Sequence, residues 1–159
     1  ENRLRAARLD IAAGQTQSWT GLGFRLRERW LVAPREDVRE VITVPRMTRV
    51  PGARPWLLGV ANVRGNLLPV TDLGQPRMPE HRDQRVLVFN SDRVPAGVLV
   101  DEVAGYRQFA PSDQRHDMVA GSGELEPYLL GAFSREGRDW LALSLHKLTR
   151  GQQFVAAGA

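Results

Sequence analysis

Pro55-Trp56-Leu57-Leu58-Gly59-Val60-Ala61-Asn62-Val63-Arg64-Gly65-Asn66-Leu67-Leu68-Pro69-Val70-Thr71-Asp72-Leu73 decides how this chain is read. Two apolar runs meet at Gly65-Asn66, a dipeptide that tolerates the positive φ of a tight hairpin turn. Between Pro55 and Thr71 the one charged residue is Arg64, at the lip of that turn. A guanidinium among apolar neighbours costs free energy unless it is paired or stands at a surface made for a partner. The stretch therefore reads as a buried β-hairpin, as a docking site edged by Arg64, or as both.

Outward from the hairpin, the signals are those of strands. Leu22, Phe24 and Leu26 alternate with Gly23, Arg25 and Arg27, the period of a half-buried strand, and Glu28-Arg29 turns it into Trp30-Leu31-Val32-Ala33. The β-branched run Val38-Arg39-Glu40-Val41-Ile42-Thr43-Val44-Pro45 reads as the next strand, and Arg46 to Pro55 as a loop. Residues 74–84 form a polar, proline-containing connector. Strands resume at Arg85–Asn90 and Val94–Asp101, residues 110–126 are loop-like, and a last pair spans Tyr128–Phe133 and Trp140–Leu145 around Glu136-Gly137. A lead-in helix is expected within residues 1–18, and a short helix from His146 before a tail at 151–159. The chain opens on Glu1, which reads as a trimmed or processed start.

The second half echoes the first. Glu40-Val41 recurs as Glu102-Val103, and Leu57-Leu58-Gly59 as Leu129-Leu130-Gly131, each within the same order of hairpin, long loop and hairpin. That order predicts a pseudo-duplication: two small antiparallel barrels of about five strands each, meeting along a groove.

Composition limits the functions that remain. The chain has 159 residues, enough for a real core, and no apolar run long enough to span a bilayer as a helix. It has no cysteine, which excludes disulfides, thiol nucleophiles and iron–sulfur ligation and fits a reducing cytoplasm. The sequence pI near 10.5 accompanies a net charge of only +4. The arginines sit in strings broken by acids, such as Arg25-Leu26-Arg27-Glu28-Arg29, and lack interleaved aromatics. Such a face is ordinarily solvated, so nucleic acid is not the expected partner, and a small-barrel nucleic-acid binder stays only as an alternative. His81, His116 and His146 are scattered, Asp101-Glu102 point to opposite faces of a strand, and Gly121-Ser122-Gly123 lacks a nucleophile elbow. No catalytic residue, metal site or cofactor is expected, and a chain of this kind works by binding.

The ordered motifs resemble one family. Leu58-Gly59-Val60-Ala61-Asn62-Val63-Arg64-Gly65 followed by Leu68-Pro69-Val70-Thr71-Asp72-Leu73 is similar to the signature of CheW-like domains. Val38-Arg39-Glu40-Val41 and Val98-Leu99-Val100-Asp101-Glu102-Val103 resemble two further elements of that family, and the likeness covers residues 19–150. Trp19-Thr20-Gly21-Leu22-Gly23-Phe24 and Leu31-Val32-Ala33-Pro34 look more narrowly like adaptors of chemosensory systems that control type IV pili and twitching motility. The resemblance implies an all-β fold of two five-stranded SH3-like antiparallel barrels. It also implies a cytoplasmic, non-enzymatic adaptor between the tip of a methyl-accepting chemoreceptor and the regulatory domain of a histidine kinase, associated with receptor arrays but not inserted in the membrane. An adaptor-like module of a larger coupling protein or kinase is the nearer alternative.

Carried over by position, the resemblance implies receptor contacts at Val38, Gly59, Asn62, Val63 and Arg64. It implies kinase contacts at Val32 and Val41 on the first barrel and at Met118 and Val119 before the last strand pair. The strand valines also read as core, the tryptophans as barrel plugs, and Arg64 as a partner of local carbonyls or of Asp72.

Overall fold

The computed structural model describes residues 18–53, 57–73, 82–91, 95–118 and 123–149. Its strands are β1 (Trp19–Leu26), β2 (Arg29–Pro34), β3 (Val38–Thr43), β4 (Met47–Thr48), β5 (Leu57–Val63), β6 (Asn66–Thr71), β7 (Arg85–Phe89), β8 (Gly97–Val100), β9 (Glu102–Phe109), β10 (Leu129–Arg135) and β11 (Arg138–Leu143). One short helix, α1 (Leu145–Thr149), follows them where a C-terminal helix was expected. The expected lead-in helix lies outside the described residues.

The strands form a five-stranded sheet, β10-β11-β2-β1-β9, and a six-stranded one, β3-β7-β8-β6-β5-β4. The sixth strand is β4, two residues within the segment expected to be loop, paired with Val60 and Ala61. Pairing is antiparallel except at β11–β2 and β6–β8, so each sheet carries one parallel contact.

Neither barrel corresponds to one half of the chain. The first takes β1 and β2 together with β9, β10 and β11; the second takes β7 and β8 together with β3, β5 and β6, plus β4. Each barrel thus joins the opening hairpin of one half to the last strands of the other. The echoed hairpins correspond closely. β5–β6 and β10–β11 both have a register shift after their first residue and a two-residue turn, Arg64-Gly65 and Glu136-Gly137, with positive φ throughout. Val32 and Val41, expected on one barrel, accordingly lie on different ones.

Both places where the chain changes barrels carry a buried aspartate. Between β2 and β3, Asp37 Oδ2 accepts the N–H groups of Leu145 (3.0 Å) and His146 (3.3 Å) at the start of α1. Its carbonyl accepts the Asn90 N–H at 2.8 Å. Between β8 and β9, Asp101 accepts the Arg27 N–H at 2.5 Å and the Gln84 side-chain amide at 3.2 Å. A buried carboxylate is tolerable only with such donors around it, so each crossing is held by hydrogen bonds to residues on both sides of it, through backbone at Asp37 and through Arg27 backbone and the Gln84 side chain at Asp101.

The cores follow from the exchange. Phe109, Phe133, Trp140, Val32, Leu130 and Ala142 fill the first barrel, with Trp19 and Trp30 against them, and Phe109 and Phe133 stack 4.6 Å apart. Ala61, Leu68, Val70, Val86, Val88 and Leu99 fill the second. A third and larger cluster bridges the two, with Phe24, Leu31 and Leu143 on one side, Leu87, Phe89, Val98 and Val100 on the other, and Leu145 and Leu148 of α1 closing it.

Candidate functional site

The β5–β6 hairpin positions the residue that the sequence singled out. Its turn is Arg64-Gly65 and not Gly65-Asn66, since Val63 pairs with Asn66 across the ladder. With φ of 53° and 83° the two central residues have the positive φ of a type I′ turn. Glycine takes this conformation freely, whereas arginine pays a steric penalty there. Asn62 offsets part of it: its Oδ1 accepts the Gly65 N–H at 2.9 Å and braces the turn.

Arg64 has a partner that neither local carbonyls nor Asp72 supplies. Its Nη1 and Nη2 donate to Glu40 Oε2 (2.5 Å) and Oε1 (2.6 Å), a bidentate fork between the hairpin tip and the edge strand β3. The arginine side chain is nonetheless 70% exposed. A guanidinium has five N–H donors, so the fork fixes its plane and leaves donors for another molecule. The hydrogen bonds from Arg64 hold the Glu40 carboxyl below its ordinary range, and Glu40 in turn raises Arg64. Asp72 is buried and lies 3.6 Å from Arg27 instead.

The other expected receptor positions divide. Asn62 is exposed beside Arg64, while Val63 is half-buried against the core of the second barrel and Val38 against the shared core. Gly59 is buried, and the backbone that approaches it belongs to this chain. A Cβ there would stand 2.8 Å from the Thr48 carbonyl oxygen and 3.1 Å from Met47 Cβ. Gly59→Ala should therefore dislodge β4 and cost about 1–3 kcal/mol. Faster amide exchange at Met47 and Thr48 with β5–β6 still protected is the expected result; unchanged exchange there would show that β4 yields without loss.

The expected kinase positions divide further. Val32 is 0% exposed inside the aromatic core of the first barrel, so it has no surface to offer a partner and its role is packing. Val41 is 39% exposed on the outer face of β3, beside Arg39 and Thr43. Met118 is half-buried at a cleft of about 570 Å³ bordered by Trp30, Arg138, Asp139 and Leu141. Val119 lies outside the described residues.

Two features of this surface escaped the sequence reading. Glu40 stands in a repeated dipeptide and in the Val38-Arg39-Glu40-Val41 element, neither of which marks it as the partner of Arg64. Leu67 is 67% exposed on β6, directly opposite Asn62. In the run Leu67-Leu68 apolar character alone does not say which side chain faces out; the ladder places Leu68 in the core and Leu67 on the surface.

Two SH3-like barrels that trade strands across a shared core define the class, a CheW-like fold. The family model for the CheW-like domain matches residues 20–153. The chain is 41% identical to protein PilI of Pseudomonas aeruginosa over 154 residues, 94% of this chain and 86% of that protein. It is 31% identical to protein FrzA of Myxococcus xanthus over 120 residues, 72% of this chain and 73% of FrzA. The crystal structure of the scaffolding protein TtCheW from Thermoanaerobacter tengcongensis matches with a TM-score of 0.71 at 21% identity, covering 85% of this chain and 94% of that one. The chain belongs to the CheW-like family. It is a non-enzymatic coupling adaptor of chemotaxis-like signalling, a scaffold and not a catalyst.

Proposed function

We propose that this adaptor joins the cytoplasmic tip of a methyl-accepting chemoreceptor to the regulatory domain of a histidine kinase, in a chemosensory pathway that controls type IV pili. The likeness to PilI along 94% of the chain supports the pathway. The observation that carries the docking reading is the Glu40–Arg64 fork, a charged pair held rigid at a hairpin tip with its arginine exposed. Preorganised charge of this kind sets register and partner choice more than bulk affinity.

Arg64 and Asn62 then meet the receptor helices, with Leu67 beside them as apolar contact. Val38 and Val63 act from below, as the packed floor that holds the hairpin and β3 in place. Val41 on the second barrel and Met118, with Val119 next to it, near the first supply the kinase contacts. Their separation onto two barrels suits an adaptor that touches kinase domains on two sides and so extends an array. None of the described helices is long and apolar enough to cross a membrane.

Isothermal titration of the adaptor against a receptor-tip fragment and, separately, against the kinase regulatory domain tests the wiring. Saturable one-to-one binding to each is expected. A folded adaptor that binds neither removes the proposal.

A further inference from the structure

The first barrel carries a second charged surface, on its far hairpin. A cleft of about 520 Å³ lies between Tyr106–Phe109 of β9 and Arg135–Trp140 around the β10–β11 turn. Among its linings, Arg107 and Arg138 differ from the other arginines. Arg135 is 3.2 Å from Asp113 and 3.9 Å from Glu136, so its charge is answered locally. Arg138 instead stacks on Trp30, 3.9 Å from the ring centre, and lies 5.7 Å from Trp140, while Arg107 lies over Trp140 at 5.7 Å. Among the described residues neither has a carboxylate partner. Arg138 faces Arg135 directly across the ladder, so the carboxylates at this tip serve Arg135 and leave Arg138 to the indoles.

One wall of the cleft, the one that carries Arg107, is a strand edge. β9 pairs with β1 on one side only, and the first sheet ends at β9 and at β10, with Gln114–Phe133 an isolated bridge beyond. Tyr106, Arg107 and Gln108 are exposed on that edge, Tyr106 at 63%. An exposed edge is a template for an added strand. Guanidiniums that lie over indoles have already lost part of their side-chain freedom, and each retains N–H donors for a carboxylate.

We infer that this cleft binds an extended acidic segment of a partner protein, which adds antiparallel or parallel to β9 and places carboxylates on Arg107 and Arg138. Charge complementarity selects the occupant. Residues 1–17 of this chain carry Arg3, Arg5 and Arg8 against Glu1 and Asp10, the wrong sign for the cleft. Nucleic acid fits less well: Trp140 is 4% exposed and Trp30 lies under Arg138, so neither offers an open ring for a base. The cleft is separate from the Glu40–Arg64 fork, which belongs to the second barrel.

The probe is an acetylated, amidated peptide alternating glutamate and valine over about six residues, the length of an ordinary strand. It is titrated into the whole protein at low salt with tryptophan fluorescence and backbone amide shifts as readouts. Saturable binding is expected, with the largest shifts at Tyr106–Gln108, weakening as salt rises. The variant with Arg107→Glu and Arg138→Glu should bind at least tenfold more weakly while melting as the parent does. Should that variant fail to fold, the wild-type arms decide: a lysine–valine peptide and a backbone N-methylated acidic peptide should each bind at least tenfold more weakly. Equal affinity for the N-methylated peptide overturns strand addition, tighter binding of oligothymidylate overturns the peptide assignment, and no binding of the acidic peptide overturns the inference outright.

Discussion

Replacing Phe24 with alanine should lower the unfolding free energy by about 3–5 kcal/mol, out of a total of about 5–15 kcal/mol for a domain of this kind. Phe24 is fully buried on β1, and its neighbours in the shared core include Leu87, Phe89, Val98 and Val100 of the second barrel. The cavity would therefore open between the barrels and not within one of them. Because each barrel also borrows strands from the other half of the chain, the loss should reach both together. Chemical denaturation followed by tryptophan fluorescence in a Trp56→Phe background reports the first barrel, where Trp19, Trp30 and Trp140 sit. Amide exchange at β7 and β8 reports the second. A matched fall in both is expected. Intact protection of β7–β8 alongside a destabilised first barrel would mean that the two fold as separate units.

Arg64→Glu should weaken binding to the receptor tip on the order of a hundredfold, because it replaces an exposed donor with a charge that repels both Glu40 and an acceptor on the partner. The melting temperature should move by no more than about 2 °C, as befits an exposed ion pair. The exchange variant, Glu40→Arg with Arg64→Glu, separates two roles. It restores the attraction between hairpin and β3 without restoring a positive charge at the tip. Binding that stays lost in the exchange variant marks direct contact by Arg64; full recovery would mean that the fork only holds the hairpin in place. The same pair fixes an acid limit. Glu40 has a folded value depressed below its ordinary 4.5, so whatever the fork contributes is complete above that value and disappears as pH falls through the depressed one. An NMR titration of the Glu40 carboxyl should find its midpoint below 4.5, returning to the ordinary range in Arg64→Ala.

Much of the strand layout was legible because alternation is a local signal. β1, β2, β3 and the β10–β11 pair stand close to where period-two patterning put them. β9 was not legible in the same way. Its register shifts opposite Gly23 and Phe24, and Gly105 within it has a φ of 78°, so the alternation breaks phase mid-strand. The hairpin turn was misplaced by one residue because Gly65-Asn66 and Arg64-Gly65 are both plausible by composition. The ladder decides between them through Asn62, which braces the second. At the candidate site, Arg64 was conspicuous for its isolation along the chain. In space it is bonded to a residue that enters 24 positions earlier.

The two echoed hairpins share a turn conformation but not its first residue. The turn position held by Arg64 in β5–β6 is held by Glu136 in β10–β11, with the same φ of 53°. The backbone conformation is common to both hairpins and does not demand an arginine. What differs is the surroundings: β3 brings Glu40 to one tip, whereas Arg135 and Arg138 flank the other.

By itself the sequence determined the all-β character, the paired hairpins and a short C-terminal helix, put an isolated arginine at a hairpin turn in view, and carried the motifs that resemble CheW-like domains. These follow from short-range patterns, which survive in one dimension. Only the tertiary structure decided that the halves exchange strands, that Val32 is sealed in a core, that Gly59 serves β4, and that Arg64 is forked to Glu40. Each of these depends on which distant segments share a sheet or a barrel wall. Local alternation is indifferent to that choice, and the packing of apolar faces across the whole chain makes it.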